Sequence, residues 1–273
     1  MPVKKLLVVV CIATAILSPF AARTQNNNSI VVQVNKPVAE IQPTMWGVFF
    51  EDINLGADGG IYAELVKNRS FEFYKPLMGW AVNQPKFKEG SVLIINRQET
   101  NIANPRFVRI TKEAATDTLG LTNEGFRGMG IKKGLRYDFS VMYRQQTAGL
   151  TLHAELVSMA GKIIGTASLT PSATTGAAWV KAAISFNSTD SSLRGKLNIW
   201  FEGKGKIDLD IISLFPEDTL KKRPGGMRAD MIQLLADMKP GFIRFPGGCV
   251  VEGYDLGLRY QWKKHWGQLK TAS

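Results

Sequence analysis

The chain has 273 residues, 45% of them apolar, and a formal net charge of +11. That apolar share feeds one large core or two smaller ones and excludes a disordered chain. Lys and Arg are scattered, LKKRP at 220–224 being the densest group, so no basic stripe interleaved with aromatics points to nucleic acid.

The first 24 residues read as a segment to be removed. Lys4 and Lys5 precede the apolar run LLVVVCIATAILSPF, and the small pair Ala21 and Ala22 follows it. This is a secretory signal pattern, and its run is short of the roughly 20 residues that span a bilayer. The expectation is a secreted or periplasmic protein with no membrane partner after cleavage. Val10 stands before Cys11 where a lipoprotein signal has a small residue. Cleavage removes Lys4, Lys5 and Arg23 and leaves a charge of +8, with Cys249 as the remaining cysteine and no internal disulfide.

IVVQVNKP (30–37) alternates weakly and predicts a strand. MWGVFF (45–50) is a short apolar run bounded by turn signals, the pattern of a strand buried on both faces in a parallel sheet. It ends in Glu51 and Asp52, which read equally as catalytic carboxylates, sugar ligands or strand-end acids. Asp58 then predicts the cap of a short helix with Ile61, Leu65 and Val66 on one side.

From Trp80 to Phe215 the period becomes two. In LRYDFSVMY, Leu135, Tyr137, Phe139, Val141 and Tyr143 alternate with polar residues and Met142, and LTLHAEL, VKAAISF, KLNIWFEG and KIDLDII repeat the pattern. Short strands separated by Gly, Ser, Thr and Asn clusters predict an antiparallel β-sandwich over 80–215. Trp179 and Trp200 offer faces on which a sugar ring stacks, core burial being the favoured reading. Met227, Met231, Leu234, Leu235 and Met238 then line one face of a helix expected to pack in a core, which Pro240 and Gly241 end. FIRFPGG follows as a strand with a glycine turn. The whole reads as an α/β fold interrupted by an inserted all-β domain. GMG at 128–130 and Gly56, Gly59 and Gly60 lack the context of a nucleotide site, and no metal-ligand spacing occurs, so no cofactor is expected.

WGVFFEDINLGADGGIYAELVKNRSFE and GFIRFPGGCVVEGYDLGLRYQWKKHWG resemble the start of the catalytic domain in α-L-arabinofuranosidases of glycoside hydrolase family 51. NEGFRGMGIKKGLRYDFSVMYR is similar to the carbohydrate-binding-module-like, jelly-roll-type sandwich inserted in one branch of that family. The resemblance implies a (β/α)8 TIM barrel that releases arabinofuranosyl groups from plant cell-wall polysaccharide such as arabinoxylan or arabinan. It implies retention of configuration by two glutamates on later barrel strands, neither reached by this chain. Residues 25–79 and 216–273 together fall well short of the ~250 of a complete barrel, so the chain itself is expected to be a fragment without turnover. The resemblance further implies sugar-binding roles for Glu51 and Cys249; the glycine turn at Gly248 lets backbone approach the same ligand, and Trp262 is the expected cleft-lining aromatic, packing under the cleft being its alternative. Asp52 is expected to be structural. The alternative function is a secreted polysaccharide-binding protein in which the sandwich alone acts.

Overall fold

The computed structural model describes residues 29–83, 90–97, 104–113, 119–248 and 251. The chain divides into two units, residues 1–42 and 43–273. In the first, IVVQVNKP forms no strand. Lys36 N–H closes a turn on Gln33 C=O, and Ile30, Val31, Val32 and Val34 are exposed. A strand persists by pairing its amides, and no described residue pairs with these.

The second unit is dominated by two antiparallel sheets. The strands are β1 (Val48–Phe49), β2 (Trp80–Asn83), β3 (Gly90–Asn96), β4 (Arg106–Lys112), β5 (Leu119–Asn123), β6 (Met129–Ile131) and β7 (Arg136–Arg144). They continue with β8 (Leu150–Val157), β9 (Ile163–Leu169), β10 (Val180–Asn187), β11 (Ser192–Gly203), β12 (Gly205–Pro216) and β13 (Ile243–Arg244). One sheet runs β10-β7-β12-β4-β3; the other runs β2-β5-β11-β8-β9, with β6 also on β11. All five sandwich segments singled out by period-two alternation lie in strands β7, β8, β10, β11 and β12.

Alternation explains the core. Tyr137, Phe139, Val141 and Tyr143 of β7 point inward against Leu152, Ala154 and Leu156 of β8 and Leu197, Ile199 and Phe201 of β11, all buried in one cluster. Their packing face to face is what makes a β-sandwich. Trp80 joins it, but the other two sandwich tryptophans do not. Trp179 and Trp200 are half-buried on outward positions, which corrects the expectation of core burial. Trp200 sits between the inward Ile199 and Phe201, so the pleat turns it away.

The chain leaves the strand pair for the sandwich and returns beside itself. Outgoing residues 61–69 bond returning residues 212–228: Leu65 N–H to Leu214 C=O, Ala63 N–H to Gly226 C=O, Ile212 N–H to Arg69 C=O and Arg228 N–H to Ile61 C=O. The Glu64 carboxylate is buried among them. It accepts the amides of Val66 and Leu214, each at 2.9 Å, and the Ser213 hydroxyl, with Arg69 at 3.6 Å. Burial pushes its pKa upward, against the lowering effect of these donors.

The helix predicted after Asp58 is therefore absent. The amides of Ala63 and Leu65 are spent on Gly226 and Leu214 of the returning chain, those of Ile61 and Tyr62 reach five residues back, and Gly59 adopts φ +80°. The later helix is present as α1 (Ala229–Asp237), but its apolar face is not a core face. Leu234 and Met238 are more than half exposed, because the described residues place no layer over it.

Strands β1 and β13 pair in parallel, Val48 opposite Ile243 and Phe49 opposite Arg244. Val48 N–H bonds Phe242 C=O and Phe50 N–H bonds Arg244 C=O, both at 2.9 Å. The parallel strand is as the sequence predicts, but the expected burial on both faces is not. Phe49 and Ile243 are exposed among the described residues.

Replacing Glu64 by Ala leaves two amides and a hydroxyl without their acceptor in a buried site, so we expect a loss of ~2–4 kcal/mol. Urea unfolding of Glu64→Ala beside Phe139→Ala, a core truncation worth ~3–5 kcal/mol, checks this. A Glu64→Ala midpoint equal to wild type would contradict it.

Candidate functional site

The ends of β1 and β13 bring two of the four predicted sugar-binding residues into one neighbourhood. Glu51 follows β1 by two residues, and Gly247 and Gly248 follow β13. Gly247 adopts φ +138°, and a Cβ there would stand 2.8 Å from Glu51 Cγ and 3.0 Å from its Cδ. Only glycine fits this conformation at this separation, so the turn backbone lies directly on the Glu51 side chain. Gly248 adjoins Arg244 Nη2 and Phe49 Cζ. The Arg244 guanidinium lies 5.1 Å from the Phe49 ring centroid, and Phe50 stacks on Phe245 at 5.9 Å. Cys249 and Trp262 lie outside the described residues.

The two neighbouring acids diverge. Asp52 Oδ1 accepts the Ala57 amide at 3.0 Å, closing the loop after β1, so its carboxylate has the structural role expected of it. No described residue donates a hydrogen bond to the Glu51 carboxylate, which is half-buried. A carboxylate with its lone pairs available can accept two hydroxyls of one ring at once, and a glycine turn lets that ring come close. Asp58, the residue after Ala57, has its pKa raised by burial, lowered by Arg69 and raised by Asp52, with a net upward shift.

A second polar assembly, on the outer face of the five-stranded sheet, has no counterpart in the sequence reading. Asp208 on β12 takes Arg109 Nε and Nη2 at 2.7 and 2.9 Å and Arg144 Nη2 at 2.7 Å. The same guanidiniums cover aromatic rings. Arg144 lies 5.2 Å from Phe107 and 4.8 Å from Trp179, and Arg109 lies 5.6 Å from Phe107. Trp179 meets Phe107 edge-on at 5.4 Å and also holds Arg97 at 4.8 Å. Such cation–π contacts orient the guanidiniums as well as attract them. The available signal was register: Arg109, Arg144 and Asp208 each occupy outward positions of their strands.

Arg97 also bonds Asp210 Oδ2 at 3.1 Å, beside Asn104 at 2.9 Å, while Ile211 N–H donates to Oδ1 at 2.8 Å. Burial nevertheless dominates and raises the Asp210 pKa to about 7. On the other sheet's outer face His153 stacks on Trp200 at 3.8 Å, between Ser168 Oγ at Nδ1 and Glu202 at Nε2. Trp200 Nε1 donates to Glu155. His153 thus covers a ring that a sugar would need open.

The profile of the α-L-arabinofuranosidase 1 domain family matches residues 234–273. An extracellular exo-α-L-arabinofuranosidase of Streptomyces chartreusis is 37% identical over 86% of this chain and 29% of its own length. Arabidopsis thaliana α-L-arabinofuranosidase 1 is 32% identical over 84% of the chain and 34% of its own length. The solved structure of an arabinose-bound family 51 α-L-arabinofuranosidase superposes with a TM-score of 0.71 at 30% identity, covering 84% of this chain and 38% of that one.

Asp210 yields a pH dependence. Its folded pKa lies above the value of about 3.8 for a free carboxyl, so the folded state favours the proton. Its stabilising contribution is complete below pH ~4 and is lost as pH rises through ~7. We expect stability to fall by ~2–4 kcal/mol across that window from this group, and Asp210→Asn to flatten the dependence. Thermal melts from pH 4 to 8 decide it; an unchanged slope in the variant would contradict the assignment. Taken together, sequence and fold support a relationship to the α-L-arabinofuranosidases of glycoside hydrolase family 51, of whose length this chain spans about a third.

Proposed function

We propose that this chain is the N-terminal part of a secreted, retaining α-L-arabinofuranosidase and supplies part of its sugar pocket. On this reading residues 1–24 are a cleaved signal. Residues 25–79 and 216–273 belong to a (β/α)8 barrel, in which β1 and β13 are adjoining strands. Residues 80–215 are a carbohydrate-binding-module-like insert. Parallel pairing of β1 with β13 supports the barrel assignment, since barrel sites form at the C-terminal ends of such strands. The extracellular Streptomyces relative supports secretion.

The observation that carries the sugar-site assignment is the approach of the Gly247 backbone to Glu51. Glu51 accepts hydroxyls of an arabinofuranose ring and fixes its position, Gly248 admits the ring, and Cys249 and Trp262 complete the wall. Glu51 transfers no proton. Retaining hydrolysis uses two carboxyl groups about 5 Å apart, one as nucleophile and one as acid and base, and these belong to later strands of the whole enzyme. Substrates are arabinose-bearing wall polysaccharides, arabinoxylan or arabinan. No cofactor or metal takes part in this scheme.

The full 273-residue chain should give no turnover of p-nitrophenyl α-L-arabinofuranoside above background. In a chain extended by the missing barrel strands, Glu51→Gln should lower kcat/KM by ~100-fold, about 2.7 kcal/mol of lost transition-state binding. Turnover by the 273-residue chain that Glu51→Gln abolishes would overturn the division of roles. An extended Glu51→Gln enzyme with wild-type kcat/KM would overturn the sugar role.

A further inference from the structure

The Asp208 assembly opens onto a groove of about 680 Å³ on the outer face of the five-stranded sheet. Its floor comes from β4 (Arg109, Thr111), the end of β7 (Arg144) and the start of β12 (Lys206, Asp208). Residues 145–148, 176–177 and Lys204 form its walls. The far wall is fastened to the sheet through Gln145. Its amide group donates to the carbonyls of Pro171 and Ser172, and its backbone exchanges bonds with Thr174. Among the described residues Arg109, Arg144, Lys204 and Lys206 line the groove with one acid, Asp208.

The single acid does not cancel this charge. Two guanidiniums carry ten N–H donors between them, and one carboxylate offers about four lone-pair sites. Asp208 therefore works as a hinge pin. It fixes the planes of Arg109 and Arg144 while Phe107 and Trp179 back them, and the assembly remains cationic. Planar guanidiniums held in place are suited to carboxylates, which they bind bidentately. Lys204 and Lys206, both exposed, put compact charges at the lip.

We propose that this groove binds a uronic-acid-bearing glycan strand, with a sugar carboxylate at Arg109 and Arg144 and further carboxylates at Lys204 and Lys206. The charge complementarity stands on the groove alone. The choice of a glycan over another polyanion rests on the arabinofuranosidase reading. The groove is separate from Glu51 and Gly248, so it anchors the enzyme on acidic regions of a polysaccharide and leaves the bond to be cleaved elsewhere.

The test is isothermal titration of the full chain at low salt with octagalacturonic acid, its fully methyl-esterified form and a single-stranded oligodeoxythymidine of equal charge. The acid form should bind at least about tenfold more tightly than the ester. The double variant Lys204→Gln/Lys206→Gln, whose residues are exposed and keep the fold, should lose ~3–10-fold. Arg144→Gln should lose more, and the remote pair Lys221→Gln/Lys222→Gln should bind as wild type. Equal binding of acid and ester, or groove variants that bind as wild type, would overturn the proposal. Oligodeoxythymidine bound as tightly as octagalacturonate would overturn the glycan assignment and mark a general polyanion groove. None of these outcomes touches the turnover assay, so failure here is distinct from failure of the arabinofuranosidase reading.

Discussion

Everything beyond the sandwich core hangs on the buried Glu64 carboxylate and the two chain crossings that it ties together. A sandwich that lies in sequence between two paired strands must leave and return at nearly the same point. Here residues 61–69 and 212–228 meet that requirement by bonding to each other as an irregular ladder. Backbone polar groups in such a crossing cannot be left unpaired when buried. Glu64 closes the gap by accepting from both sides, Val66 on the outgoing segment and Leu214 on the returning one. Its own burial is costly, as the raised pKa records, and three donors and Arg69 offset that cost.

Holding the crossings together also sets where β1 and β13 begin their pairing. The parallel pair is only two residues long on each side, too short to persist by its own hydrogen bonds. Its partners arrive already side by side because the crossings are joined, and Glu51 and Gly247 then face one another at the strand ends. Charge is divided along the same lines. The strand ends present an acid suited to neutral hydroxyls, whereas the outer sheet face presents arginines fixed by Asp208 and aromatic rings.

Much of the sandwich is legible in the sequence because one face of each strand is wet and the other dry. In β7 and β8 the alternation of side chains is the alternation of environments, so reading one gives the other. Elements that depend on long-range partners were not legible. IVVQVNKP has strand composition but no ladder partner among the described residues, and the segment after Asp58 has helix-compatible spacing but gives its amides to residues 214 and 226. Glu64 looked like one more polar position of that helix. Family resemblance points to Glu51 and Gly248, and the structure places both at the ends of the paired strands. The Arg109, Arg144 and Asp208 cluster was not, because it joins residues 35 to 99 positions apart that share nothing locally.

Hydrogen exchange on the Glu64→Ala chain, resolved to single amides, tests most directly whether the joined crossings hold the strand pair. Val48 and Phe50 donate to the carbonyls of Phe242 and Arg244 and make no bond to Glu64. The account predicts that they lose protection together with Leu65 and Leu214, while Ile199 and Phe201 in the core keep theirs. Opening at Leu65 and Leu214 with Val48 and Phe50 still protected as in wild type would contradict it.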